Sequence, residues 1–170
     1  MWWDLLFGNV APTLNFQTID HEIGHGLVSA SLVSSWPEEI ALTEWGGYCK
    51  SLHAVTDLPP IFAGLLNAGG FAGEKVFGGY SGYWPHDSDD YRKALPLVRP
   101  TGWSTDRMIY EAMKILNRPL NRKAHPAIKA ALLSNNGRLG GRELARVINE
   151  ARGIACLSQA QRYLINNHLD

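Results

Sequence analysis

The sequence has few cysteines, no excess charge of either sign and no long apolar run. Cysteine occurs at two of 170 positions, Cys49 and Cys156, and neither lies in a C-x-x-C pair. We therefore expect neither to be a zinc ligand, and without a recognisable signal peptide we expect a reduced, cytoplasmic setting. Sixteen basic and sixteen acidic residues give zero formal net charge. This balance argues against a nucleic-acid-binding protein, which usually carries a basic face.

The most apolar stretches are all interrupted. The N-terminal "MWWDLLFGNVAPTL" contains Asp4 and Pro12 and has no basic region, so it predicts neither a signal peptide nor a membrane span. We expect Trp2 and Trp3 to cover apolar surface of the domain, with a membrane or partner anchor as the alternative. There is no G-x-x-x-x-G-K-[ST] loop, so we expect no ATPase module in this chain.

What the sequence does have is a series of helical patterns. With 170 residues and 45% apolar content, we predict one domain over residues 1–170 with its own core. The first helix is expected from about Phe16 to Ser34, capped by Asn15 or Thr18. Between it and the next helix, "EIALTEWGGYCKSL" favours a β-hairpin or two short strands. The other expected helices cover residues 60–78, 88–98 (with Pro96 ending or kinking it), 104–119 (capped by Ser104 or Thr105), 125–136, 140–153 (stopped by Gly153) and 158–170. The predicted class is therefore mainly α.

The most specific motif is His21-Glu22-x-x-His25, inside "TIDHEIGHGLVSASL". Residues four apart lie on one helix face, so both imidazoles can bind one metal ion. Zinc is the ion that this pattern indicates, and Glu22 could take a proton from a water molecule held by it. Gly24 lies inside the motif, which suggests that another element packs closely there. The alternative is that both are ordinary core or surface histidines.

A catalytic zinc needs a third protein ligand, and the residues alone leave five candidates. Glu74 lies in a predicted helix, whereas the other four belong to the acidic loop segment "HDSDD": His86, Asp87, Asp89 and Asp90. The alternative role of this segment is helix capping, since acidic residues and serine satisfy free N–H groups at a helix start.

Several blocks of the sequence resemble the peptidase domain of FtsH-type ATP-dependent zinc metalloproteases. Residues 20–30, "DHEIGHGLVSA", resemble that family's HEAGHAL helix, and 68–79, "AGGFAGEKVFGG", resemble its GGRAAEELIFG helix. Residues 81–94, "SGYWPHDSDDYRKA", resemble its TGASNDLEQAT segment, and 111–148 resemble its closing helices. The resemblance covers roughly residues 16–150.

The resemblance implies a zincin-like fold that holds Zn²⁺. Its metal ligands would be His21, His25 and Asp90, with Glu22 as general base. A polypeptide substrate would bind as an extended chain along an edge strand, expected within "IALTEWGGY", residues 40–48. The family's hexamers depend partly on an ATPase ring, so a separate ATPase partner, a monomer and a small homo-oligomer all stay open.

The chain also departs from the family pattern. Residues 83–86 are Tyr-Trp-Pro-His, where the family has small polar residues. Asp87 or His86 therefore stays an alternative to Asp90 as the third ligand.

The predicted function is a zinc endopeptidase that cleaves unfolded or flexible polypeptides. The alternatives are a non-catalytic zinc-binding regulatory or interaction module, and a protease dedicated to one partner protein. Four further residues could assist catalysis: His125, His53, Tyr80 and Tyr83. The alternative is that the histidines are ordinary surface residues and the tyrosines pack against their neighbours.

Overall fold

A computed structural model of the chain describes residues 18–32, 36–51 and 57–153. These ranges hold six α-helices and one three-stranded antiparallel sheet, so the predicted mainly α class with a small β element is confirmed. The elements are α1 (Ile19–Ser29), β1 (Pro37–Thr43), β2 (Gly46–Ser51), α2 (Pro60–Val76), α3 (Asp89–Val98), a 3-10 turn (Arg99–Thr101), α4 (Thr105–Leu116), α5 (Pro119–Ser134), β3 (Arg138–Gly140) and α6 (Gly141–Arg152).

Helix α1, which carries the motif, is shorter than predicted. It ends at Ser29 and not at Ser34, because the N–H groups of Ser31 and Leu32 bond three residues back, to the carbonyls of Val28 and Ser29, and no longer four residues back. The Ser31 hydroxyl also donates to the Leu27 carbonyl, which satisfies another free acceptor at the helix end. Thr18 occupies the N-cap position without a side-chain capping bond. The other predicted cap, Asn15, and the predicted start at Phe16 lie outside the described residues.

The sheet has the order β2-β1-β3, and the predicted hairpin forms its first two strands. Ile40 of β1 pairs with Cys49 of β2 on one side and with Leu139 of β3 on the other. Strand β3 was not predicted. Strand β3 pairs with the second side of β1. The prediction that residues 40–48 supply an edge strand is therefore wrong for residues 40–42. The two edges of the described sheet are β2 and β3, and β2 is the one that lines a cleft together with His21 and Glu22.

Helices α2 to α6 correspond one to one to the five further helices predicted within the described ranges, and some of their ends differ from the prediction. Helix α3 continues to Val98, so Pro96 does not end it. Helix α4 is capped by Ser104, whose hydroxyl accepts from the Arg107 N–H, as predicted. Helix α5 begins at Pro119 and not near residue 125, because proline is well suited to the first helical turn. Helix α6 ends at Gly153 in the left-handed conformation, as predicted.

Helices α1 and α2 pack with their backbones in contact through glycines. A Cβ atom on Gly24 would lie 2.9 Å from the Gly73 Cα and closer still to the Gly69 carbonyl oxygen. The close packing that the sequence suggested at this motif is confirmed. The buried face of α1 contributes to the main core, together with residues of the later helices: Ile19, Ile23, Leu27, Phe71, Met108, Leu116, Ile128, Leu132, Leu144 and Ile148.

Some predictions concern parts of the chain outside the described ranges. These are the N-terminal segment with Trp2 and Trp3, the accessory candidate His53, Cys156, and the last helix over residues 158–170. Every helix in the described ranges is too short or too polar to cross a bilayer.

Candidate metal centre

Two histidines and one aspartate place their side chains around a single point. His21 Nε2 lies 2.9 Å from Asp90 Oδ2, His25 Nε2 lies 3.1 Å from the same oxygen, and the two nitrogens are 3.1 Å apart. The histidines come from one face of α1, and Asp90 comes from the first turn of α3. These are the three residues that the family resemblance implied as ligands, and they form a potential metal-binding group.

The other nitrogen of each imidazole is fixed by a hydrogen bond. His21 Nδ1 donates to Glu74 Oε1 at 2.7 Å, and His25 Nδ1 donates to the Leu66 carbonyl oxygen at 2.7 Å. Both acceptors lie on α2. Each bond holds its ring in place with Nε2 directed at the shared point, which is how metal-binding histidines are usually oriented. Glu74, a sequence candidate for the third ligand, therefore bonds to His21 on the side of the ring that faces away from the shared point.

Glycine at position 70 leaves the space that the two imidazoles occupy. A Cβ atom there would overlap the Nε2 atoms of both His21 and His25, and it would lie 2.6 Å from His21 Cδ2. The sequence showed the Gly69-Gly70 pair only as part of a family block. Position 70 must be a glycine because α2 packs directly against the imidazoles of α1, which only the structure shows.

The remaining third-ligand candidates lie apart from the group. Asp89 is exposed and pairs with Arg92 at 2.8 Å. His86 stacks on the Tyr91 ring, and Asp87 is exposed. The predicted capping role belongs to Ser88, whose hydroxyl accepts from the Tyr91 N–H at the start of α3.

Glu22 is buried beside this group, at the wall of an open cleft. The cleft has a volume of about 850 Å³, and His21, Glu22, His25, Gly47, Leu66 and Asp90 are among its lining residues. Strand β2 approaches Glu22 so closely that a Cβ atom on Gly47 would lie 2.6 Å from Glu22 Cγ. Glycine at position 47 therefore allows the hairpin to close over Glu22, a role that the sequence did not indicate.

The charges of the site shift several pKa values. Burial alone lowers the pKa of His21, but its hydrogen bonds with Asp90 and Glu74 outweigh this and raise it to about 10. Burial would raise the pKa of Asp90, but its bonds with the two histidines hold it well below its usual range. Burial raises the pKa of Glu22 against the opposing effect of the two histidines, in the direction that suits a general base.

The donor set fits a small ion that accepts nitrogen and oxygen ligands. Around a tetrahedral zinc ion with bonds of about 2.0–2.1 Å, neighbouring ligand atoms lie about 3.3 Å apart. The observed separations of 2.9–3.1 Å are close to this value. Calcium is bound by oxygen ligands, so two imidazole nitrogens among the three donors disfavour it.

The accessory candidates do not line the cleft. His125 Nε2 donates to Asp20 Oδ1 at 2.7 Å, its ring stacks on Phe77, and burial lowers its pKa. Tyr80 packs edge-on against Phe71. Tyr83 is 93% exposed and lies in a separate surface depression with His86.

Comparisons of the chain with protein-family models, with curated proteins and with solved structures found no significant match.

Proposed function

We propose that the chain is a zinc-dependent endopeptidase that cleaves unfolded or flexible polypeptides. The observation that carries this proposal is the convergence of His21 Nε2, His25 Nε2 and Asp90 Oδ2 beside the buried carboxylate of Glu22. Three protein ligands with space left for water and substrate are typical of catalytic zinc sites, whereas structural sites use four protein ligands.

Each residue of the site can take a separate role in peptide-bond hydrolysis. Zinc, when bound, polarises a peptide carbonyl and lowers the pKa of water. Glu22 takes a proton from the water molecule whose oxygen forms a bond with the carbonyl carbon. As the C–N bond breaks, Glu22 returns that proton to the leaving amine nitrogen. Glu74 and the Leu66 carbonyl keep the histidines oriented throughout.

Two observations support the proposed substrate class, unfolded or flexible polypeptides: the cleft, and the resemblance to FtsH-type peptidases. Strand β2 lines the cleft beside Glu22 and is one of the two edge strands of the described sheet. An extended polypeptide can add to such an edge through main-chain hydrogen bonds, with little dependence on its sequence. We include in this proposal a zincin-like fold and, as a further prediction, a separate ATPase that supplies unfolded chains.

The test compares zinc-loaded wild type with Glu22→Gln on a casein-like unfolded substrate. The substitution keeps the size of the side chain and removes the base, so we expect zinc to stay bound and cleavage to fall about 10²–10⁴-fold. Glu111→Gln makes the same change on α4, where Glu111 pairs with Lys114, and should cleave like wild type. If wild type carries one zinc per chain and neither it nor the control cleaves any substrate, the endopeptidase proposal is wrong.

A non-catalytic zinc module is the second candidate. It predicts a closed site with a fourth protein ligand. Cys49 lines the same cleft, but within the described ranges the ligand group holds only the two histidines and Asp90. X-ray absorption of the zinc-loaded protein distinguishes the two candidates, since a Zn–S bond near 2.3 Å would favour the closed site.

A further inference from the structure

The turn of the hairpin carries a tryptophan that is largely exposed. Trp45 is 89% exposed, whereas Trp36 and Trp84 are each only 5% exposed. No ring or cation contact of Trp45 occurs within residues 18–32, 36–51 and 57–153. An isolated exposed apolar residue is ordinary, so exposure alone assigns it no role.

The position of Trp45 is what distinguishes it. It lines the same cleft as His21, Glu22 and His25. Gly47, two residues further on, closely approaches Glu22, so the turn that carries Trp45 adjoins the part of the hairpin nearest to Glu22. Leu66, which is apolar and only 7% exposed, lines the same cleft. The polar side chains of Ser88 and Lys93 also line it.

We propose that Trp45 determines specificity, its indole covering a bulky apolar side chain, preferably aromatic, of an extended polypeptide in the cleft. This inference rests on the proposed function and names the side chain that the site selects. Aromatic side chains give large contact areas at low cost in conformational entropy, and tryptophan is prominent among residues that dominate binding. Tyr48 also lines the cleft, but its hydroxyl donates to Glu39 of β1 and its side chain is less exposed than that of Trp45, 41% against 89%.

The test measures binding and cleavage separately. The binding probes are fluorescent peptides in which one phenylalanine is moved position by position through a glycine- and serine-rich background, with alanine at the same positions for comparison. Anisotropy titrations use the zinc-loaded Glu22→Gln protein, which holds peptide without cutting it. We expect one or two positions where phenylalanine binds about tenfold more tightly than alanine. Trp45→Ala should reduce this preference to about twofold or less, and Trp45→Phe should retain most of it.

Tyr110→Ala is the matched control, because Tyr110 is 61% exposed on α4 and does not line the cleft. It should leave the preference unchanged. If the preference is absent, or persists in Trp45→Ala, the inference is wrong. It is also wrong if Trp45→Ala changes the sedimentation of the free protein, since the indole would then belong to a contact between copies.

Cleavage assays of the same peptides with wild type keep the two proposals apart. Binding that prefers phenylalanine through Trp45 without any cleavage would refute the endopeptidase proposal and support the role of Trp45. Cleavage with equal kcat/KM for phenylalanine and alanine peptides would support the endopeptidase and refute that role.

Discussion

Replacing Gly70 with alanine should remove zinc binding while leaving the fold in place. The new methyl group would occupy the space of both Nε2 atoms, and the rings cannot move back without losing the bonds from His21 to Glu74 and from His25 to the Leu66 carbonyl. Each such orienting bond is worth about 10–100-fold in metal affinity. Loss of both weakens zinc binding by about 10²–10⁴-fold, or about 3–5.5 kcal/mol.

The stability of the metal-free protein should change much less. Alanine favours a helix over glycine by about 1 kcal/mol, while overpacking costs about 1–3 kcal/mol. The net loss in the free energy of unfolding is then about 0–2 kcal/mol. Chelator competition measures the zinc dissociation constant, and thermal unfolding with and without zinc measures the stabilisation that the metal provides.

Gly64→Ala is the control on the same helix. Its Cβ would lie 2.8 Å from Met108 Cε and 2.9 Å from Val98 Cγ2, which are core side chains away from the metal group. The same balance of helix propensity and overpacking predicts a loss of about 0–2 kcal/mol in the free energy of unfolding, with an unchanged zinc dissociation constant. Wild-type zinc affinity in Gly70→Ala would refute the placement of the two imidazoles against α2.

Three further predictions follow from the site and its supports. Glu74→Ala should weaken zinc binding about 10–100-fold in chelator competition, because His21 loses its orienting partner; unchanged affinity would contradict this. The raised pKa of His21, about 10 without metal, means that zinc must displace its proton at neutral pH. The apparent association constant should therefore rise about tenfold per unit between pH 6 and 8, measured by calorimetry in several buffers, whereas an ordinary histidine would level off above about pH 6.5. Asp20→Ala leaves His125 and Lys129 without their acceptor, so urea unfolding should show a loss of about 1–3 kcal/mol; a change below the error of the method would show that this cluster adds no stability.

Local patterns were enough to predict most of the fold. The helix expected over residues 104–119 and its cap, Ser104 or Thr105, depend on side chains a few positions apart; the structure has this helix over Thr105–Leu116 with Ser104 as its cap. Strand β3 could not be predicted in this way, since Arg-Leu-Gly has no strand pattern and pairs with β1 about a hundred residues earlier. The end of α1 was missed because Leu32 continues the apolar spacing and packs on the core from beyond the helix.

The candidate site, too, could be predicted from the sequence only in part. The spacing of His21 and His25 on one helix determines that they lie side by side, so the pair follows from the sequence. Asp90 is 69 residues from His21, and the residues alone left five candidates; only the family resemblance selected it. The bond from His25 to the Leu66 carbonyl could not be predicted at all, because a main-chain acceptor has no signature in the sequence.

The antiparallel pairing of β1 with β3 bears on when this site can assemble during synthesis. Glu39 pairs with Gly140, so the third strand can join the hairpin that covers Glu22 only after nearly the whole described chain has left the ribosome. Contacts this distant in sequence form late, because the loop between them must first be closed. A nascent chain that stops before Arg138 would carry all three candidate ligands without the completed sheet beside them. If the completed sheet is needed for the proposed endopeptidase activity, this order delays that activity until the chain itself is no longer unfolded.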